Sequence, residues 1–204
     1  MFKVERGRPR EFDEEEALEA ALRVFWRQGY QGASLAALTE AMGMSKPSLY
    51  RAFGSKEELY NRALERYCDN QLRPHAVRLQ EEPDLRKALG AFLHSVADML
   101  TGRDLPGGCM VVNSSVAMNS GNLPPAVETS IRDVAQQFVF TRLRERLVRE
   151  EERGRLPENI SVDALVSYYA TLMAGMAVMS KLGVEKGQLD QTIELALGVL
   201  KTVD

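Results

Sequence analysis

The chain is predicted to be all-α, and three observations predict it. Apolar residues recur at three- and four-residue spacing through almost every segment, which places them on one stripe of a helix. Ser or Asp precedes these runs, and Gly or Pro closes or reopens them, as helix caps and breakers do. Residues 34–59 read as two short helices joined by a tight turn, with a third helix starting at Ser55. The expectation is about nine helices: a three-helix head in residues 1–55, then a helical body in residues 56–204.

Residues 1–10 set Lys3, Arg6, Arg8 and Arg10 among Gly7 and Pro9. That composition resists helix and reads either as a solvated terminus or as a basic arm. Asp13 and Glu16 form a capping pair for a first helix with Leu18, Ala21, Leu22 and Phe25 inward, ending near Gly29. Ser34 caps the second, whose stripe is Leu35, Leu38 and Met42, and Gly43 supplies the positive φ that ends it. Ser45 caps the third, where Pro47 in the first turn is harmless. Leu49 and Phe53 face inward there, while Lys46, Ser48 and Arg51 point out with Tyr50 at the flank, and the helix carries no acid.

Ser55 and Glu58 make a capping box, with Lys56 in the first turn of a helix running to about residue 79. Leu59, Ala63, Tyr67 and Cys68 lean inward. Pro83 restarts the chain, and Leu85, Ala88, Leu89, Phe92, Val96, Met99 and Leu100 keep helical spacing until Gly102, with His94 at the stripe's edge. A loop at 103–108 leads to an apolar run opened by Cys109 and closed by Gly121 and Asn122. It reads as helix because every flanking segment is helical. Pro124 and Pro125 open a long helix to about Arg153, with Val127, Ile131, Val134, Phe138 and Leu147 inward. Its alternating Arg and Glu tail reads as a solvated face with local ion pairs. Ser161 caps a helix over 162–182 that is apolar nearly all round, so it must bury a second face. Ala170, Ala174, Gly175 and Ala177 permit close helix approach. A last helix, 188–203, carries Leu189, Ile193, Ala196, Leu197 and Leu200, and these two final helices are expected to build a four-helix homodimer interface.

A formal net charge of −3 and a pI near 5.6 over 204 residues exclude a protein coated in positive charge. A sequence-specific reader of DNA needs only a local basic face. No membrane-spanning run and no leader is read from the sequence, so the expected place is cytoplasmic. Cys68, Cys109, His75 and His94 lack metal-ligand spacing, so neither a metal nor a cofactor is expected. An alternative, a redox protein or enzyme using Cys109, finds no His, Asp or Lys placed to serve as its base.

A short, acid-free helix that presents donors and begins with free N–H groups suits a major groove edged by phosphates. At these residues the chain resembles the TetR family of transcriptional regulators. Gly43, Ser45, Leu49, Tyr50, Phe53, Ser55, Lys56, Glu57 and Leu59 match the family pattern by identity, and Ser34, Leu38 and Met44 are conservative replacements. Thr39, Met42, Pro47 and Ala52 depart from it. The first two alter packing, Pro47 stiffens the start of the third helix, and Ala52 puts one backbone contact in doubt. The resemblance implies a dimer that binds a near-palindromic operator, commonly as a repressor released by a small molecule. It also implies that Tyr50 and Lys56 touch phosphate while Lys46, Pro47 and Ser48 face bases. Ser34, Ser45 and Arg51 are further candidates, and Arg8 and Arg10 join them if the arm reaches DNA.

For the effector, Phe92, Val96, Met99, Cys109, Met110, Asn113, Phe138, Tyr168 and Met173 are the candidate lining of an apolar cavity with few polar groups. The phrase from Gly108 to Asn113 resembles the start of an effector-domain helix in one subgroup of the same family. Cys109 itself is a candidate sensor of electrophiles or oxidants, if a helix N-terminus stabilises its thiolate.

Overall fold

A computed structural model describes residues 13–118 and 121–200. The basic arm with Arg8 and Arg10, and the expected end of the last helix beyond residue 200, lie outside the described residues. Among those described, every regular element is helical. Eleven α-helical segments are present, and two pairs are joined through π-helical turns, so nine continuous rods result.

The head is α1 (Glu14–Gly32), α2 (Leu35–Ala41) and α3 (Lys46–Phe53). Asp13 caps α1 by accepting from the backbone N–H groups of Glu15 and Glu16. α1 runs past the expected stop: Gly29 takes φ 69° and kinks the rod without ending it. Leu18, Ala21, Leu22 and Phe25 are buried as their spacing requires. Gly43, at φ 63°, makes the turn between α2 and α3, a conformation that costs glycine nothing. Leu38, Met42, Leu49 and Phe53 close the core beneath it.

α4 (Lys56–Tyr67) lies along α1, joined to it by Arg66 to Glu15 and Glu19 and by Arg62 to Glu14. The single helix expected to run to residue 79 is interrupted by a π turn, Cys68–Leu72, before α5 (Arg73–Glu81). The reason is Pro74. It has no N–H for the carbonyl four residues back, and Arg73 N–H instead reaches Cys68 O, five back.

α6 (Leu85–Thr101) is the central rod of the body, packed on α5, α10 (Val162–Lys181) and α11 (Lys186–Leu197). The apolar run after Cys109 gives only a short α7, Met110–Ser115, and then turns. α8 (Pro125–Ala135) passes through a second π turn, Gln136–Thr141, into α9 (Arg142–Glu152). The core has two parts. One joins α1 to α4 with Met110, Val111, Val127 and Ile131; the other joins α6 to α9, α10 and α11.

The charge run of α9 corrects an expectation. Arg146 and Glu150 are 2% and 0% exposed, paired at 3.0 Å. Arg146 also donates to the carbonyls of Glu82 and Pro83, at 3.0 and 3.1 Å, while Arg153 and Arg155 approach Glu150 from outside. These side chains fasten α9 to the α5–α6 connection. Charges are tolerated in such a place only when paired and hydrogen-bonded.

α10 is long and apolar enough, by length and composition, to cross a membrane. It is nonetheless built into the body: Leu165, Val166, Tyr169, Met176 and Ala177 are buried against α6 and α9. Its other side leaves Tyr168, Val178, Met179 and Leu182 exposed, and Leu195 of α11 is exposed as well.

Candidate functional site

The head presents one outward surface. Ser34 caps α2 by accepting from Ala37 N–H at 3.1 Å, and Ser45 caps α3 by accepting from Ser48 N–H at 3.3 Å. The hydroxyls of Ser45 and Ser48 are also 2.9 Å apart. Lys46, Pro47, Tyr50 and Arg51 are exposed along α3, and Ser48 is half-buried. Burial of Leu49 and Phe53 decides this, because it fixes which side of an eight-residue helix turns outward. The ammonium of Lys46 lies 5.9 Å from the Tyr50 ring centroid.

Lys56 joins this surface from the first turn of α4. Its helix begins at a complete capping box, with Ser55 N–H to Glu58 Oε2 at 2.6 Å and Glu58 N–H to Ser55 Oγ at 3.1 Å. Gly54 is favoured here by its φ of 72°, and a Cβ would also crowd the Glu58 carboxylate of the capping box. The Lys56 ammonium lies 4.4 Å from the centre of the Tyr30 ring, whose hydroxyl donates to Glu57 at 3.4 Å. Partial burial pulls the Lys56 pKa down, and the Glu57 carboxylate opposes that shift. Sequence reasoning missed Tyr30. No spacing rule links it to a lysine 26 residues further on.

The body holds a partly open cavity of about 440 Å³ between α5, α6, α7, the second π turn and α10. Of the expected lining, Phe92, Val96, Met99, Cys109, Phe138 and Met173 are there. Met110, Asn113 and Tyr168 are not. Met110 is fully buried on the opposite side of α7, against the head's core. Asn113 points to α1, donating to Trp26 O at 3.2 Å. Tyr168 is on the exposed side of α10, edge to face with Tyr169. In so short a helix as α7 the sequence fixes no phase, and its two sides serve different cores. The second π turn brings Phe138, Val139 and Phe140 to the cavity in succession. His75 and Leu72 also line it and were missed.

Cavity and head share their supports. Trp26 Nε1 donates to Gly108 O at 3.0 Å, and its ring stands edge to face with Tyr67 at 4.7 Å. The Tyr67 hydroxyl donates to Cys109 Sγ at 3.3 Å and accepts from Met110 N–H at 3.4 Å. Tyr60 donates to Ser114 Oγ at 2.8 Å. Cys109 is half-buried in the cavity wall. α7 therefore borders the cavity with one side and holds α1 and α4 with the other.

A helix-turn-helix head with a donor-rich second helix, carried on a helical body with an apolar cavity, defines the class of DNA-binding transcriptional regulators. Residues 17–63 match the family model described as bacterial regulatory proteins of the tetR family, and residues 86–195 match a tetracyclin repressor-like C-terminal domain. The chain belongs to the TetR family. It is 32% identical over 190 residues to the HTH-type transcriptional repressor ComR of Escherichia coli K12, covering 93% of this chain and 89% of ComR. It is 29% identical over 197 residues to the repressor BdcR of the same strain, covering 97% and 93%. Among solved structures, it resembles a cysteine mutant of the TetR family regulator CifR complexed with 26 bp operator DNA. The TM-score is 0.82 at 36% identity, over 94% of this chain and 98% of that one.

Proposed function

We propose that this regulator is a cytoplasmic repressor that binds a near-palindromic operator as a homodimer and is released when a small molecule or an electrophile occupies the body cavity. The observation that carries the reading is the single outward face of Lys46, Pro47, Tyr50, Arg51 and Lys56, carrying positive charge and no acid on α3, above a buried Leu49 and Phe53. The similarity to ComR and BdcR, both named repressors, and to operator-bound CifR supports the direction of control. In this reading residues 1–55 are the DNA-binding unit and 56–204 the effector and dimer unit. Tyr50 and Lys56 hold phosphates, and Lys46, Pro47 and Ser48 face base edges.

The exposed apolar sides of α10 and α11 support the homodimer, since a large uncovered patch of this kind marks an interface. A twofold pair would set two α3 helices about one helical turn of DNA apart. Release follows from the shared supports: an occupant that displaces α7 also moves Trp26, Tyr60 and Tyr67, and so changes the spacing of the heads.

The test begins by sequencing genomic DNA retained by the purified protein. The expected result is enrichment of one near-palindrome, bound far more weakly by a Tyr50→Ala/Lys56→Ala double variant. Equal affinity of that variant and the parent would overturn the assignment of the face. An electrophile that releases wild type and leaves Cys109→Ser on its operator would assign the signal to the thiol; equal release of both would leave it to a non-covalent ligand.

A further inference from the structure

The polar content of the cavity wall is small, and its hydroxyls sit on solvent-exposed residues. Among the described residues, no Asp, Glu, Lys or Arg lines it. An ionic ligand would therefore lose its water with no counter-charge to meet it. The wall's hydroxyls, Ser115, Ser167 and Thr171, belong to solvent-exposed residues; Ser115 Oγ donates to Val112 O at 2.9 Å, and Cys109 Sγ accepts from the Tyr67 hydroxyl. His75 is different.

Its Nδ1 lies 2.9 Å from Ser95 Oγ, and Ser95, which is buried, gives its one proton to Phe92 O at 2.7 Å. A serine hydroxyl has a single donor, so here it accepts, and the proton between the two groups sits on His75 Nδ1. Burial lowers the pKa of His75, and the charge of Arg78 lowers it further against a weaker pull from Asp98, which favours the neutral ring. A neutral imidazole with its proton on Nδ1 has a bare acceptor at Nε2. His75 lines the cavity as a half-buried residue, and that nitrogen is the acceptor its ring has left to offer an occupant.

We propose that the cavity takes a neutral, largely apolar molecule bearing one hydroxyl or N–H donor, and that His75 Nε2 is the acceptor that selects it. The proposal rests on the reading of the cavity as the effector site. At about 440 Å³ the space suits an aromatic or terpenoid-sized ligand. A hydroxyl entering an apolar chamber forfeits its bonds to water, so preference for it over a methyl group of similar size requires an acceptor inside.

The test uses the purified full chain and the fluorescence of N-phenyl-naphthylamine, a neutral amine that brightens in apolar cavities. It is displaced by para-phenylphenol, para-methylbiphenyl or para-phenylbenzoate. Wild type should prefer the phenol to the methyl compound about five- to tenfold, the worth of one neutral hydrogen bond, and bind the benzoate most weakly. His75→Phe keeps a ring in place and should reduce the preference for the phenol below about twofold, with the methyl compound held as before. His75→Gln, which restores an acceptor, should recover part of it.

Equal binding of phenol and methyl compound by wild type, tighter binding of the benzoate, or a preference that survives in His75→Phe would overturn the role of His75 while leaving the cavity as an effector site. If the dye fails to brighten, or brightens equally with a Met173→Trp variant that fills the space, the cavity reading falls and the selection rule with it. The wild-type comparison needs no variant, so it decides the matter even if His75→Phe does not fold.

Discussion

Lys46 and Lys56 carry the same charge on the head and stand in different surroundings. Lys46 is exposed at the first position of α3, whereas Lys56 is half-buried over Tyr30 at the start of a capped helix. An exposed lysine is free to reach base edges in a groove; one packed over an aromatic ring is suited to a fixed phosphate. Lys46→Ala is expected to relax sequence preference at one operator position by about 1–3 kcal/mol. Lys56→Ala should weaken binding to all DNA and make the slope of log affinity against log salt shallower by about 1 to 2 for a dimer. Salt titrations on operator and scrambled DNA check both; reversed behaviour would exchange the two roles.

His75 gives a second residue-scale expectation. Its pKa is lowered in the folded chain, first by burial, so the unfolded chain takes up a proton that the folded one refuses. The stability it contributes is complete above its ordinary value of about 6.5 and is lost as pH falls below that. Denaturant midpoints measured at about pH 8 and about pH 5 should therefore differ more for wild type than for His75→Gln. Equal differences would show that other groups account for the acid side.

At the scale of elements, α9 shows how far a charge run is from being one kind of surface. Arg142 and Glu145 form an exposed pair, while Arg146 and Glu150, four residues apart on another side of the same helix, are sealed in. Glu150→Gln should destabilise the fold by about 3–5 kcal/mol, because a buried guanidinium loses its partner. Glu145→Gln should cost no more than about 1 kcal/mol. Chemical denaturation of the two variants separates them, and similar small losses would mean that water reaches the α9 pair.

The spacing of Arg146 and Glu150 is the ordinary i, i+4 of a solvated helix, so nothing in the sequence marked them as interior. Only the backbone carbonyls of Glu82 and Pro83, brought there by the fold, explain their burial. The π turn after Tyr67 was, by contrast, within reach of the sequence: Pro74 announces a missing N–H. The second π turn has no such signal, and it is the one that fills a cavity wall.

Among the described residues, α10 and α11 leave large apolar side chains uncovered. Leu182 and Leu195 are 74% and 81% exposed, and Val178 and Met179 are 47% and 44% exposed. Gly175 of α10 is exposed too, and a Cβ built there meets nothing within 4 Å. Gly175→Arg should therefore leave the protomer folded and, if a second copy packs on this face, prevent it from docking. Light scattering should find wild type dimeric and the variant monomeric at micromolar concentration, with operator binding reduced in step. A dimeric variant, or a soluble wild-type monomer, would end the assignment of this interface.

The sequence by itself determined the head. Capping residues, a turn glycine and two inward residues four apart specify α2 and α3 through local interactions, and local interactions are what a sequence displays. It also determined that the body is helical and which stripes of α6, α10 and α11 are apolar, since the 3.6-residue period is written along each segment. Only the tertiary structure decided what those stripes meet. Met110 turned to the head and Cys109 to the cavity, Tyr30 came under Lys56, and His75, with one ring nitrogen tied to Ser95, joined the cavity wall. Each of these depends on which distant segment supplies the neighbour, and the periodicity of one helix carries no information about the phase of another.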